Sequence, residues 1–553
     1  MRRQSSSPRL TELRKRAKQR LKALRAGDPA ALAWLERFVP RHSVPPVLRE
    51  VQHALAREEG FGSWAKLKEH VELHELRHLG SQRVVDEFLE RACWFGSGDG
   101  AKKWQRARAI LDRYPEVATA SLHTAVVAGE LGHVRRLLAE DASLVRSKAG
   151  PQQWEPLLFL CYSRLPSDKA REHAVAIGEA LLDAGADPNA FTTDGHNHFT
   201  AFCGLVGRGE TNQPEHPRAK ELGRLLLERG ARVDQGQALY NEHLHDDDDA
   251  WLSLLFEFGL DARTPFNCAG DADAPSAFDY LLPQACARGH VKRVSALLER
   301  GANPNARSIY DDLPYYRIAL LSGHHEIAEL LAAHGASREP LTGKDAFLVT
   351  CHEGRLDEIR AQVAAHPEYV EHQRALIDCV GLGRLDTVRL LLELGMSPNA
   401  PAPALYSACR DEAMSRLLLE HGADPRVRVF GRYSLAQASL WHGSPEMARF
   451  HARLTRDIFD AVMSGDVELV AELLLTSPRL ASRRGDDGNT PLHVLPRDPE
   501  RAEPIIDALL RAGADPAAEN DAGQTPLARL VSQGEDELAD LLDLALESAR
   551  GGD

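Results

Sequence analysis

Cysteine is scarce: the chain has eight in 553 residues, scattered and without a C-x-x-C pair. That spacing excludes a disulfide framework and a thiolate zinc site, and points to a reducing cytoplasm. Aromatic residues make up 6%, so burial must rest on Leu, Ala and Val, which suits thin helical layers better than one thick core. No uninterrupted apolar stretch approaches the length that crosses a bilayer. The opening MRRQSSSPRLTELRKRAKQRLK has basic residues but no apolar segment behind them, so it does not read as a secretory signal. No G-x-S-x-G elbow, P-loop or strand-linked G-x-G-x-x-G occurs. Ser, His and Asp are plentiful, but nothing in their order arranges them. The expectation is a non-enzyme with no catalytic residue, no cofactor and no membrane contact.

What is present is length and rhythm. A chain of 553 residues exceeds the size at which a single core stops growing, so several domains or a repeat array are expected. The net charge of −14 is uneven: residues 1–80 hold 17 Lys and Arg against 9 Asp and Glu, which leaves the remainder at −22. A basic head on an acidic body can bind nucleic acid or the body itself.

One phrase recurs. It stands as LLDAGADPNA at 181–190, LLERGANPNA at 297–306, LLELGMSPNA at 391–400, LLEHGADPRV at 418–427 and LLRAGADPAA at 509–518, with weaker copies at 225–234, 254–263 and 330–339. Leu-Leu closes the apolar face of a helix. The Gly can take the left-handed conformation that ends it, and Pro bars continuation. About half a period upstream lies a short apolar helix, a Gly turn and a second amphipathic helix, as in DIFDAVMSGDVELVAELLL at 457–475. In that second helix Val470, Leu473 and Leu474 share one face. Each phrase is therefore an antiparallel helix pair.

This pattern resembles the ankyrin-repeat family. The family's T-P-L-H opening stands at Thr490, Pro491, Leu492 and His493, and returns without the His at Thr525-Pro526-Leu527. The resemblance implies that Thr490 and His493 stitch neighbouring turns together. It spans about residues 83–548, with periods around the family's ~33 residues. The periods are irregular: 45 positions from Gly185 to Gly230, 29 on to Gly259, 42 on to Gly301 and 34 on to Gly335. About fourteen modules fit. The implied fold is an all-α solenoid of helix-turn-helix modules with short turns or hairpins. The first 80 residues and GPQQWEPLLFLCYSRL at 150–165 also look like stretches of bacterial ankyrin proteins that carry an N-terminal helical leader. What the family implies is a monomeric scaffold or adaptor holding a protein partner on its concave face.

The expected organisation is a basic helical cap over 1–80, degenerate repeats over 81–190, repeats with polar insertions over 191–280, and repeats with a C-terminal cap over 281–553. The insertions at 192–220, 236–251 and 263–280 make the second block of repeats the most polar. In such stacks the turn tips and first helices meet the partner. The candidate binding residues at those places are Trp154, Tyr162, Asp194, His196, His198, Tyr240, Asn241, Tyr310, Asp311, Tyr315 and Tyr316. His196, His198, His243, His245 and Asp246 to Asp249 carry ligand chemistry for a divalent ion, but zinc spacing is absent and a plain polar loop is the better reading. Cys286, Cys351, Cys379 and Cys409 fall inside first helices and read as small core residues.

The head reads as helices over 9–26, 29–38, 46–58 and 63–78, with Asp28 capping before Pro29 and Ser63 placed to cap the last. Its first helix carries Arg14, Lys15, Arg16, Lys18, Arg20, Lys22 and Arg25 around an apolar stripe of Leu10, Leu13, Ala17, Leu21 and Leu24. The stripe must pack on something. The charges are expected to face water; the second reading is a regulatory subunit that contacts nucleic acid or an enzyme through these basic helices.

Overall fold

The structure is a computed structural model. It describes residues 8–93, 100–194, 197–209, 213–243, 247, 249–266, 274–399, 403–533 and 535–550. They form two compact units. One takes residues 1–10 and 65–340; the other takes 11–64 and 341–553. The head is thus divided and is not a domain of its own.

The head helices stand where their caps and periods place them: α1 (Pro8–Arg25), α2 (Pro29–Phe38), α3 (Leu48–Glu58) and α4 (Trp64–Leu76). Asp28 accepts from the Ala30 N–H and caps α2. Among the described residues, seven antiparallel helix pairs follow in each unit. In the first unit they run from 81–92 with 100–113 to 315–321 with 325–333, and in the second from 343–353 with 356–365 to 526–533 with 536–550. In the sixth pair of the second unit a 3-10 turn, Pro491–Val494, replaces the first helix. Short hairpins join the pairs. Among the described residues, the antiparallel pair β1 (Phe191–Asp194) and β2 (Asn197–Thr200) forms a two-stranded sheet, and others are closed by isolated bridges.

The recurring phrase folds the same way each time. Gly185 (φ +95°), Gly301 (+89°), Gly395 (+100°) and Gly422 (+85°) take the left-handed conformation. The Gly185 N–H donates to the Leu182 carbonyl and the Ala186 N–H to that of Leu181, each at 3.0 Å. This double closure satisfies carbonyls that the helix end would leave bare. The residue after Gly turns into the core: Ala186, Ala302, Met396 and Ala423 are all buried. Next, Asp187, Asn303 and Ser397 accept from the N–H two residues on and pin the turn.

The asparagine after Pro does more than the sequence suggests. The Asn305 amide donates to the Gly335 carbonyl at 2.8 Å, and its oxygen accepts from the Ser337 N–H at 2.8 Å. Asn189 brackets Gly230 and Arg232 in the same way, and Asn399 brackets Gly422 and Asp424. One side chain thus ties the end of its own module to the end of the next, wherever the phrase reads Pro-Asn-Ala.

The head's apolar stripe does pack. Ala17, Leu21 and Leu24 share one core with Leu538, Leu541 and Leu542 of the C-terminal helix Asp536–Arg550. Ala31, Leu35, Leu48, Val51 and Leu55 of α2 and α3 join that core. The expected water-facing charges are a correction, because acids of the same unit engage them. Arg14 meets Asp540 at 3.0 Å, Lys18 meets Asp543, Arg25 meets Glu503, and Arg49 of α3 meets Glu500 at 2.6 Å. Arg16 pairs with Glu58 and Glu59, and Arg20 lies over the Trp34 ring. Lys15 and Lys22 remain exposed.

Two outcomes are expected. Asn399→Ala removes two inter-module bonds whose groups water can partly satisfy, so it should cost about 1 kcal/mol, read as a lower urea midpoint at unchanged slope. Lys18→Glu places like charges where the ammonium of Lys18, itself buried, meets Asp543. It should cost roughly 1–2 kcal/mol and raise amide exchange in residues 538–546; unchanged exchange there would refute the packing.

Candidate functional site

Most of the candidate binding residues lie in residues 150–316 of the first unit, and burial divides them. Trp154, Tyr162, Asn241 and Tyr315 are buried, which withdraws them from the expected surface. Each has a polar end that finds a partner. The Trp154 indole N–H donates to Thr192 Oγ1 at 3.0 Å, and the Tyr162 hydroxyl donates to the Thr200 carbonyl at 3.0 Å. The Asn241 amide contacts Cys203 Sγ and its oxygen accepts from Gln237. The Tyr315 hydroxyl reaches Asp279 in the preceding module. These amphipathic side chains serve as cross-module core pieces.

The rest lie at the surface. His198 is exposed and stacks on Phe191, centroids 4.9 Å apart. Tyr240 and Tyr316 are half-buried and Asp311 is exposed. Tyr310 is 65% exposed, with Ile309 at 46% beside it. Both sit in the hairpin closed by the Arg307 and Pro314 bridge. Only the backbone of Asp194 is described, opposite Asn197, and His196 lies outside the described residues. Tyr240 and Tyr310 flank a buried aromatic group. His243 packs edge-on against Tyr240 and Tyr280, and Phe266 stacks on Tyr280 at 3.8 Å. Tyr310 meets the edge of Tyr280 at 6.4 Å.

Of the loop with ligand chemistry, His245, Asp246 and Asp248 lie outside the described residues. The described members point elsewhere. His243 is buried, with Nδ1 at 3.2 Å from the Tyr280 hydroxyl. Asp247 accepts from the N–H groups of Lys292 and Arg293, opening the helix Val291–Glu299. The Arg293 guanidinium reaches back to Glu242 at 2.8 Å, with both side chains buried. The insertion at 236–251 is thus anchored by a buried ion pair.

The insertion at 192–220 is anchored by Arg164, which the sequence reading passed over. Its guanidinium is buried and donates to the carbonyls of Pro214 (2.9 Å), Gly204 (2.7 Å), Cys161 and Ser163 (3.0 Å each). Burial lowers its pKa to about 10. No disulfide joins the seven described cysteines, and all of them are buried. Burial pushes the thiols of Cys286 and Cys379 up to about 12, so they are inert core groups.

In the second unit His493 accepts on Nδ1 from the Thr490 N–H at 3.0 Å and makes a 2.9 Å bond from Nε2 to the Gln524 carbonyl. With Nδ1 an acceptor, Nε2 carries the proton and donates. Residues 280–309 match the family model for the ankyrin repeat. The chain is an ankyrin-repeat protein. It is 42% identical over 96 residues to "Cyclin-dependent kinase inhibitor 2A" of Homo sapiens, covering 16% of this chain and 58% of the relative. It is 38% identical over 86 residues to "Cyclin-dependent kinase 4 inhibitor B" of Mus musculus, covering 15% and 63%. The chain thus spans about six-tenths of the length of these curated relatives. The human ASB11 ankyrin repeat domain is 20% identical, with 47% of this chain and 96% of that domain covered and a TM-score of 0.19.

The ankyrin stitch expected of Thr490 and His493 is therefore made across to Gln524. His123 makes the same reach, Nε2 to the Ser147 carbonyl at 2.8 Å, from Ser121-Leu122-His123-Thr124, where the family motif is too eroded to reveal it. Also unanticipated are the exposed Phe191, Phe430 and Trp441. A Phe beside Gly in a hairpin, as at Phe430-Gly431, is the signal that could have found one of them.

The pH response follows from His243. Burial, helped by Arg288 and Arg293, lowers its pKa to about 4 from 6.5. The unfolded chain takes up this proton first, so the contribution is complete above pH 6.5 and falls as pH drops toward 4. His243→Phe keeps the ring and removes the proton site. Its melting temperature should fall less than that of the parent between pH 6.5 and 5; parallel curves would refute the assignment.

Proposed function

We propose that this ankyrin-repeat protein is an interaction scaffold that holds a protein partner on the hairpin tips and first helices of residues 65–340. The observation that carries the reading is the Ile309 and Tyr310 pair, two large apolar side chains left exposed on a hairpin tip. Around them lie the half-buried Tyr240 and Tyr316 and the exposed Asp311, an aromatic anchor with a polar rim of the kind that carries binding energy. His198 stacked on Phe191 forms a second anchor on another hairpin of the same unit. Ankyrin repeats mediate protein–protein interaction, and two relatives are named as inhibitors of protein kinases. Their names fit a role exerted by binding and without catalysis.

The second reading, nucleic-acid contact through the basic head, loses support because Arg14, Lys18, Arg25 and Arg49 are ion-paired within the chain. No helix among the described residues is long and apolar enough to cross a membrane. The described cysteines, buried and without disulfides, suit a reducing, cytoplasmic setting, and the scaffold is expected to act as a monomer.

The test is cross-linking of the full chain to whatever co-purifies with it, followed by titration of the identified partner. Ile309→Asn with Tyr310→Ser should weaken that partner at least roughly tenfold and leave the melting temperature unchanged. Equal affinity, or cross-links confined to other faces, would overturn the reading.

A further inference from the structure

A second surface, independent of the Tyr310 hairpin, lies wholly within the second unit. In the phrase Gly422-Ala423-Asp424-Pro425-Arg426, an arginine stands where other modules place the bracketing asparagine. Arg426 frees this turn from stapling and opens it to other work. Pro425 to Arg428 line a cavity of about 230 Å³ together with Ser434, Thr455, Arg456, Asp457, Asp460 and Arg483.

The charges in this cavity are unequally satisfied. Arg483 pairs with Asp457 at 2.8 Å and Arg456 with Glu472 at 2.8 Å. Asp460 is buried and accepts from the Ser434 and Thr455 hydroxyls. Arg426 and Arg428 form no ion pair among the described residues, and both are exposed. The acids are therefore already engaged by other groups, while Arg426 and Arg428 line the same cavity, and the Arg428 charge also acts on Asp460.

The cavity is smaller than the ~300–1,000 Å³ that drug-sized ligands occupy, yet roomy for one oxyanion on a short stem. Its wall continues into a hairpin. Arg428 and Ser434 flank the Val429–Tyr433 bridge, and the tip residue Phe430 is 78% exposed in the left-handed region at φ +52°. A bulky residue held there is unfavourable on its own account; its ring meets the edge of Tyr406 at 5.8 Å and is otherwise open to solvent, two residues along the chain from Arg428. A guanidinium pair is suited to the planar, bidentate recognition of phosphate.

We propose that this cavity receives a phosphate monoester carried on a peptide side chain of a partner, with Arg426 and Arg428 holding the phosphate and Phe430 packing on the neighbouring peptide residue. The test is calorimetric titration of the full chain with three probes at matched ionic strength: inorganic phosphate, degenerate phosphoserine peptides, and the same peptides unphosphorylated. The phosphopeptides should bind at least about tenfold tighter than the unphosphorylated pool, and inorganic phosphate more weakly than the phosphopeptides but measurably. Arg426→Ala with Arg428→Ala should abolish this preference without altering circular dichroism or the melting temperature. Phe430→Ser should weaken the peptides and spare inorganic phosphate. Equal binding of the two peptide pools, or of parent and double-arginine variant, overturns the proposal. Inorganic phosphate binding as tightly as phosphopeptide overturns its peptide part and leaves a free-anion site.

Discussion

A helix pair of this kind has an apolar face on each side and can bury neither alone, so every module depends on the next and each end of a stack needs a cover. In the unit of residues 11–64 and 341–553 that cover is the chain's own beginning. Leu21, Leu35 and Leu55 bury against the final modules, each contributing on the order of 1.5–3 kcal/mol. The surrounding ion pairs add less, because they are partly exposed, but they set which face meets which. The basic head and the acidic body are complementary for this reason. Lys18 and Asp543 are 525 positions apart, so this closure joins the most distant parts of the unit in sequence.

The same dependence explains the buried polar groups. An insertion in a repeat array interrupts the apolar contact between neighbours and exposes backbone that regular modules would cover. Arg164 meets that need by donating to the Gly204 and Pro214 carbonyls of the 192–220 insertion as well as to those of Cys161 and Ser163 in its own segment. The Arg293 and Glu242 pair does so for the next insertion. A buried charge without such partners would be costly. With them it specifies one arrangement of a loop that composition alone leaves open. The insertions of this ankyrin-repeat protein are thus parts of its core as well as of its surface.

Some apolar side chains left exposed by this packing, Ile309, Tyr310 and Phe430, stand at hairpin tips, while others such as Leu475 and Val531 lie on helices. At the tips the chain reverses and no neighbour covers the outer side, so Tyr310 and Phe430 stay in water while Tyr315 and Tyr280, a few residues into the helices, do not. These two reversals differ in surface chemistry. One is apolar with an acidic rim. The other is an aromatic beside arginines.

Periodicity and turn chemistry were enough to read the helix pairs, the Gly-Ala corners, the four head helices and the Thr490 and His493 stitch, because each rests on contacts within one module or with its immediate neighbour. The core character of Cys286 and Cys379 was legible for the same reason. Four of the proposed binding residues were misplaced, since Trp154, Tyr162, Asn241 and Tyr315 have the composition of interface anchors, and burial is set by which module lies alongside. The asparagine bracket, the reach of Arg164 to Gly204 and Pro214, and which acids of the body meet the basic head were likewise out of reach. Each joins groups that nothing in the local pattern pairs. The order of residues determined what every module is; the stacking of modules decided which side chains remain outside to meet something else, because exposure is a property of neighbours and not of the residue.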